Sequence, residues 1–72
     1  MKKSFKLQDL GCANCAAKME TAISKIDGVN NVTIAFMTSK LKLDAEDERF
    51  DAILDEAQAA ISRIEKDCTI VR

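Results

Sequence analysis

Proline, histidine, tryptophan and tyrosine are all missing from the 72-residue chain, and glycine occurs only twice. Without proline, nothing interrupts a helix or strand from within. Without histidine, any protein ligand to a metal ion must be drawn from Cys, Asp, Glu or Met. An RNA-binding sheet needs exposed aromatics and a basic surface. The candidates for such aromatics, Phe5 and Phe36, fall on apolar strand faces, and a formal charge of −1 supplies no basic surface. No apolar run approaches the ~20 residues that cross a bilayer, and Met1, Lys2 and Lys3 lead into no apolar signal-peptide core. A phosphate loop and an acyl-phosphate aspartate motif are both absent, so these residues carry no ATPase chemistry. Three cysteines leave one over, which excludes a secreted disulfide framework and fits reduced thiols in a reducing compartment.

What is present reads as one globular domain over residues 1–72: 47% of residues are hydrophobic and 32% charged, and a second domain would have no core. Alternation predicts a strand at residues 4–10. Met19, Ala22, Ile23 and Ile26 recur at helical spacing within a helix at 15–26, which Gly28 would cap. A second strand at 29–37 places Val32, Ile34 and Phe36 on one face. Thr38 and Ser39 then make a turn into a third strand at 40–43, with Leu41 and Leu43 inward. An acidic link at 44–48 precedes an amphipathic helix carrying Phe50, Ile53, Leu54, Ala57, Ile61 and Ile64. Residues 67–72 form a last strand. The order β-α-β-β-α-β is the ferredoxin-like split βαβ, an α+β fold with a four-stranded antiparallel sheet and both helices on one face. In that topology the first strand–helix loop and the last helix–strand loop open at the same end, which brings Glu65 near Cys12 and Cys15.

The chemistry concentrates in the run Asp9-Leu10-Gly11-Cys12-Ala13-Asn14-Cys15. Gly11 permits a tight backbone path where strand gives way to helix. Cys15 then lies in the first helical turn with Cys12 just before it, where unpaired N–H groups and the helix dipole favour a thiolate. Two thiolates at C-x-x-C spacing can close on one soft ion or on each other.

Set in this element order, the run resembles the heavy-metal-associated domain, found in soluble metallochaperones and as the cytosolic N-terminal modules of heavy-metal-transporting P-type ATPases. The resemblance covers essentially the whole chain. Against the family pattern Gly-Met-x-Cys-x-x-Cys, Asp9 stands at the glycine, Leu10 at the methionine and Gly11 at the variable position. Copper-handling members usually carry Lys, Tyr or Phe near the site in the last loop. Here that loop reads Arg63-Ile64-Glu65-Lys66-Asp67 and is more similar to the zinc/cadmium/lead branch, whose Ile-Glu-Pro-Asp-like segment supplies an acidic ligand; Lys66 replaces the proline.

The resemblance implies a non-enzymatic module that binds Zn2+, Cd2+ or Pb2+ in preference to Cu+ and passes it on. Its partners would be the membrane and catalytic domains of a parent efflux ATPase, or a metallochaperone. The module would lie at the cytoplasmic face of a plasma-membrane transporter, and a metal-bridged dimer is a further expectation. A Cu+ chaperone or copper-ATPase module is the alternative. Ligand chemistry leans the same way as the last loop: Cu+ is satisfied by two thiolates, whereas Zn2+ or Cd2+ takes about four ligands and accepts carboxylate oxygen. Cys12 and Cys15 are the primary ligands, Glu65 the third, with Asp9 and then Cys68 behind it. Asp9 also reads as a loop or capping carboxylate, Cys68 and Met19 as core, and Met37 as a hairpin residue far from the motif. A thiol–disulfide oxidoreductase is the remaining reading of the cysteine pair. It lacks the proline or aromatic that typically flanks such a pair, and the cis-proline opposite it.

Overall fold

In the computed structural model, which describes residues 1–72, the predicted order holds. The elements are β1 (Lys2–Gln8), α1 (Ala13–Ser24), β2 (Val29–Ala35), β3 (Lys40–Ala45), α2 (Phe50–Ile64) and β4 (Thr69–Val71). A single turn of 3-10 helix, Asp47–Arg49, leads into α2. The four strands form one antiparallel sheet in the order β2-β3-β1-β4. No helix is long and apolar enough to cross a membrane.

Side-chain alternation decides what the sheet buries. Register places Phe5 opposite Leu41, Leu7 opposite Ile70, Ile34 opposite Leu41 and Val32 opposite Leu43, so these residues share the inner face. Ala16, Met19 and Ile23 of α1 and Ile53, Leu54, Ala57 and Ile61 of α2 close over them in one core of 17 buried residues. No buried side chain is charged or polar. The other face carries Lys2, Ser4, Lys6, Lys40 and Lys42, all exposed. Met19 and Cys68 are fully buried, as core residues.

Several boundaries move. The helix expected at 15–26 runs from Ala13 to Ser24, because Cys12 caps it and the Lys25 N–H closes the last turn on the carbonyls of Ala22 and Ile23. Gly28 therefore does not cap the helix. It sits three residues later at φ 96, turning the chain into β2, where a Cβ would meet Ile53 Cδ1 at 2.8 Å. The second strand stops at Ala35, so Phe36 leaves the apolar face for the turn and is 37% exposed. Its turn is longer than Thr38 and Ser39 alone, spanning residues 36–39, with Ser39 at φ 52. β3 continues to Ala45 and so takes up the start of the acidic link. Asp47, in the 3-10 turn, pairs with the terminal amine at 2.6 Å.

Side chains from the helices occupy backbone groups on the two edge strands. Glu20 of α1 accepts from the Ile34 N–H of β2 at 3.0 Å. Gln58 of α2 accepts from the Ile70 N–H at 2.7 Å and donates to the Cys68 carbonyl at 3.1 Å. This second contact ties β4, only three residues long, to the helix. An exposed strand edge is a site for unwanted pairing, and both edges are partly blunted in this way. Gln58→Leu keeps most of the volume but leaves a half-buried N–H and C=O without partners. The expected cost is about 1–3 kcal/mol, read as a lower denaturant midpoint with an unchanged slope.

Candidate metal centre

β1 ends at Gln8, and four residues later Cys12 is the N-cap of α1. Cys12 is extended (φ −155, ψ 150), as an N-cap must be, and its Sγ accepts the Cys15 N–H at 3.0 Å. The sulfur takes the place of the Ser or Asp oxygen that usually occupies this position. Cys15 is the third residue of α1, half-buried and packed against the core. Cap and first turn together hold both sulfurs at the positive end of the helix, three residues apart.

Glu65 arrives from the opposite end of the chain. Its backbone N–H caps α2 on the Ile61 carbonyl at 2.8 Å, and its carbonyl accepts the Cys68 N–H at 3.1 Å. With the main chain held on both sides, the side chain reaches across to the first loop, where Oε2 accepts the Gly11 N–H at 3.1 Å. One ligand atom each from Cys12, Cys15 and Glu65 lies within 4.8 Å of the others. The three residues are half-buried, so none is sealed from solvent. Asp9 and Cys68 lie outside this cluster. Asp9 instead borders a shallow acidic depression with Glu65, Lys66 and Asp67.

The two thiols are not equivalent. Cys12 is held below the ordinary thiol value, chiefly by hydrogen bonds from the Cys15 thiol and backbone N–H. Cys15 is pushed up to about 11, because its S–H donates to Cys12, burial disfavours its charge, and the Cys12 thiolate and Glu65 lie close. The helix terminus thus favours the capping sulfur, rather than the one inside the first turn. Since the thiolate is the nucleophile, iodoacetamide should modify Cys12 first in the reduced, metal-free protein. Its rate should rise at a lower pH than an ordinary thiol's, while Cys15 gains reactivity only as the pH approaches 11; peptide mapping across a pH series checks both.

Two residues in this loop behave differently from their sequence readings. The tight backbone path is taken by Asp9 at φ 61, whereas Gly11 has no left-handed φ. Asp tolerates that region better than most side chains but still at a cost. Met37, expected far from the motif, sits in a turn at the same end of the sheet. The Ser39 carbonyl in that turn accepts the Leu7 N–H of β1 at 2.7 Å, although the Met37 side chain is 92% exposed. Asp9→Gly should raise the stability of the metal-free protein by about 0.5–1 kcal/mol, the left-handed strain less the extra chain entropy of glycine. Chemical denaturation measures it.

Comparison with known proteins gives the family. The family model of the heavy-metal-associated domain matches residues 4–67. The zinc/cadmium/lead-transporting P-type ATPase of Escherichia coli K12 is 42% identical over 45 residues, 62% of this chain and 6% of that protein. The copper-exporting P-type ATPase of Staphylococcus aureus Newman is 34% identical over 59 residues, 82% of this chain and 7% of that protein. The chain therefore spans less than a tenth of either relative. A solved CopZ metallochaperone superposes with a TM-score of 0.76 at 17% identity, covering 99% of this chain and all of that one, which speaks to the fold. With four antiparallel strands, two helices and a paired-cysteine loop at a helix start, the chain belongs to the heavy-metal-associated domain family.

Proposed function

We propose that this domain binds Zn2+, Cd2+ or Pb2+ in preference to Cu+, through the Cys12 and Cys15 thiolates and the Glu65 carboxylate, and hands the ion on. The parent would be a heavy-metal efflux P-type ATPase, with the domain at its cytoplasmic face. The observation that carries the reading is the convergence of the Glu65 carboxylate on the two sulfurs. Two thiolates neutralise a divalent ion, and a carboxylate brings the site to one negative charge. The same three groups around Cu+ would hold two negative charges, and Cu+ gains little from oxygen.

Transfer follows from an incomplete shell. Three protein ligands leave a divalent ion with room for a water or a donor thiolate. The ion then passes between sulfurs one bond at a time, through mixed-ligand intermediates that keep the barrier low. The Glu65 carboxylate is held by the single Gly11 N–H from the backbone, so it can release the ion as a partner's ligand arrives. Because the thiols must lose their protons to bind, affinity falls as the pH drops.

A Cu+ module is the second reading. Copper-exporting relatives match the chain alongside the zinc- and cadmium-transporting ones, at 34% identity over 82% of it. Competitive titration separates the two. Glu65→Ala is expected to weaken Zn2+ and Cd2+ binding by about 10–100-fold while changing Cu+ affinity far less. Equal losses for all three ions would remove Glu65 from the site and favour copper. A Cys12→Ser, Cys15→Ser double variant that still bound one soft ion at full affinity would overturn both readings.

A further inference from the structure

Gly11 is not explained by its backbone. Only Gly28 among the glycines has positive φ, so an alanine at position 11 meets no conformational penalty from a left-handed turn. What a side chain would meet is Glu65. A Cβ built on Gly11 lies 2.7 Å from Glu65 Oε1, closer than real Cβ atoms come to a non-bonded heavy atom, and 3.6 Å and 3.7 Å from Cδ and Oε2. At the same residue the N–H holds Oε2 at 3.1 Å. The carboxylate therefore lies directly over the Cα of position 11, in space that every other residue type would fill.

The obstructed atoms are the end of a flexible side chain, and Gly11 itself is exposed. A methyl group there would cost the fold little, because Glu65 would simply swing away. The consequence would fall on the site, since the displaced group is the third member of the cluster. We infer that Gly11 is a positioning residue for metal selectivity: its missing side chain admits the Glu65 carboxylate to the sulfur pair, and its N–H fixes one oxygen. The inference rests on Glu65 being a ligand, as proposed above. It adds that the residue just before the first cysteine decides whether an acidic side chain from the last loop can reach the ion. In this chain a methyl group at position 11 would press the carboxylate away from the sulfurs, toward a two-sulfur site suited to Cu+.

The test is a double-mutant cycle on the 72-residue chain: wild type, Gly11→Ala, Glu65→Ala and the double variant, each titrated competitively with Cd2+ and with Cu+. Thermal unfolding of the metal-free forms runs alongside. Gly11→Ala should lower the ratio of Cd2+ to Cu+ affinity by ~10–100-fold, the range for a lost supporting ligand. Its unfolding temperature should stay close to wild type, which a merely structural role would not allow. The double variant should bind Cd2+ no more weakly than Glu65→Ala alone, since both changes remove one interaction. The Gly11 amide resonance should move in Glu65→Ala as the hydrogen bond is lost. If Glu65→Ala lowers the ratio and Gly11→Ala does not, Gly11 has no such role while Glu65 remains a ligand. If neither changes it, the reading of Glu65 fails and takes this inference with it. Additive losses, or equal losses of both ions in Gly11→Ala, would show loop distortion and overturn the inference.

Discussion

The hydrogen bond from the Cys15 N–H to Cys12 Sγ is the contact on which the centre depends. It does two things at once. As an N-cap it satisfies one of the donors that every helix start leaves unpaired, so the helix begins where the sulfur is. As a hydrogen bond to a thiolate it adds to the Cys15 S–H in favouring charge on Cys12, and that S–H keeps the remaining proton on Cys15. A serine would cap as well but would offer no soft ligand. The cap and the candidate metal ligand are thus the same atom, and an ion that binds Cys12 must compete with the backbone for it.

Around that contact the fold supplies a rigid frame and three converging turns. Leu7 and Ile70 pair across β1 and β4 and belong to the same core as Met19, Ile23, Ile53 and Ile61, which have no exposure, so the ends of β1 and β4 are fixed by the core. The first loop, the hairpin turn and the α2–β4 loop then open side by side. This is shown by the bonds from Leu7 to Ser39 and from Gly11 to Glu65. Selectivity, in this account, is a property of how two loops from opposite ends of the chain touch. The loops are free to vary because the core beneath them carries the stability.

Much of this was legible from residue order. Alternation and helical spacing give the ferredoxin-like order, and that order alone brings the loop holding Glu65 to the cysteine pair. Cys68 and Met19 could be assigned to the core from the faces they share with neighbouring apolar residues. Other features were hidden because they depend on distances between residues far apart in sequence. Gly11 reads as a turn glycine until Glu65 is seen above it. Asp9 gives no sign that it carries the left-handed turn that the family's glycine would occupy with less strain. Phe36 continues the apolar alternation of β2, but the four-residue turn ends pairing one residue earlier. Gln58 looks like a surface residue of α2, since nothing in its local pattern announces a bond to the edge of β4.

The central claim is a divalent ion held by two sulfurs and a carboxylate, and X-ray absorption on the Zn2+-loaded domain tests it most directly. The account predicts two sulfur scatterers at ~2.3 Å with the remaining ligands oxygen at ~2.0–2.2 Å. Four sulfurs around the ion would place it between two chains instead, and a shell of oxygens alone would remove the cysteine pair from the centre.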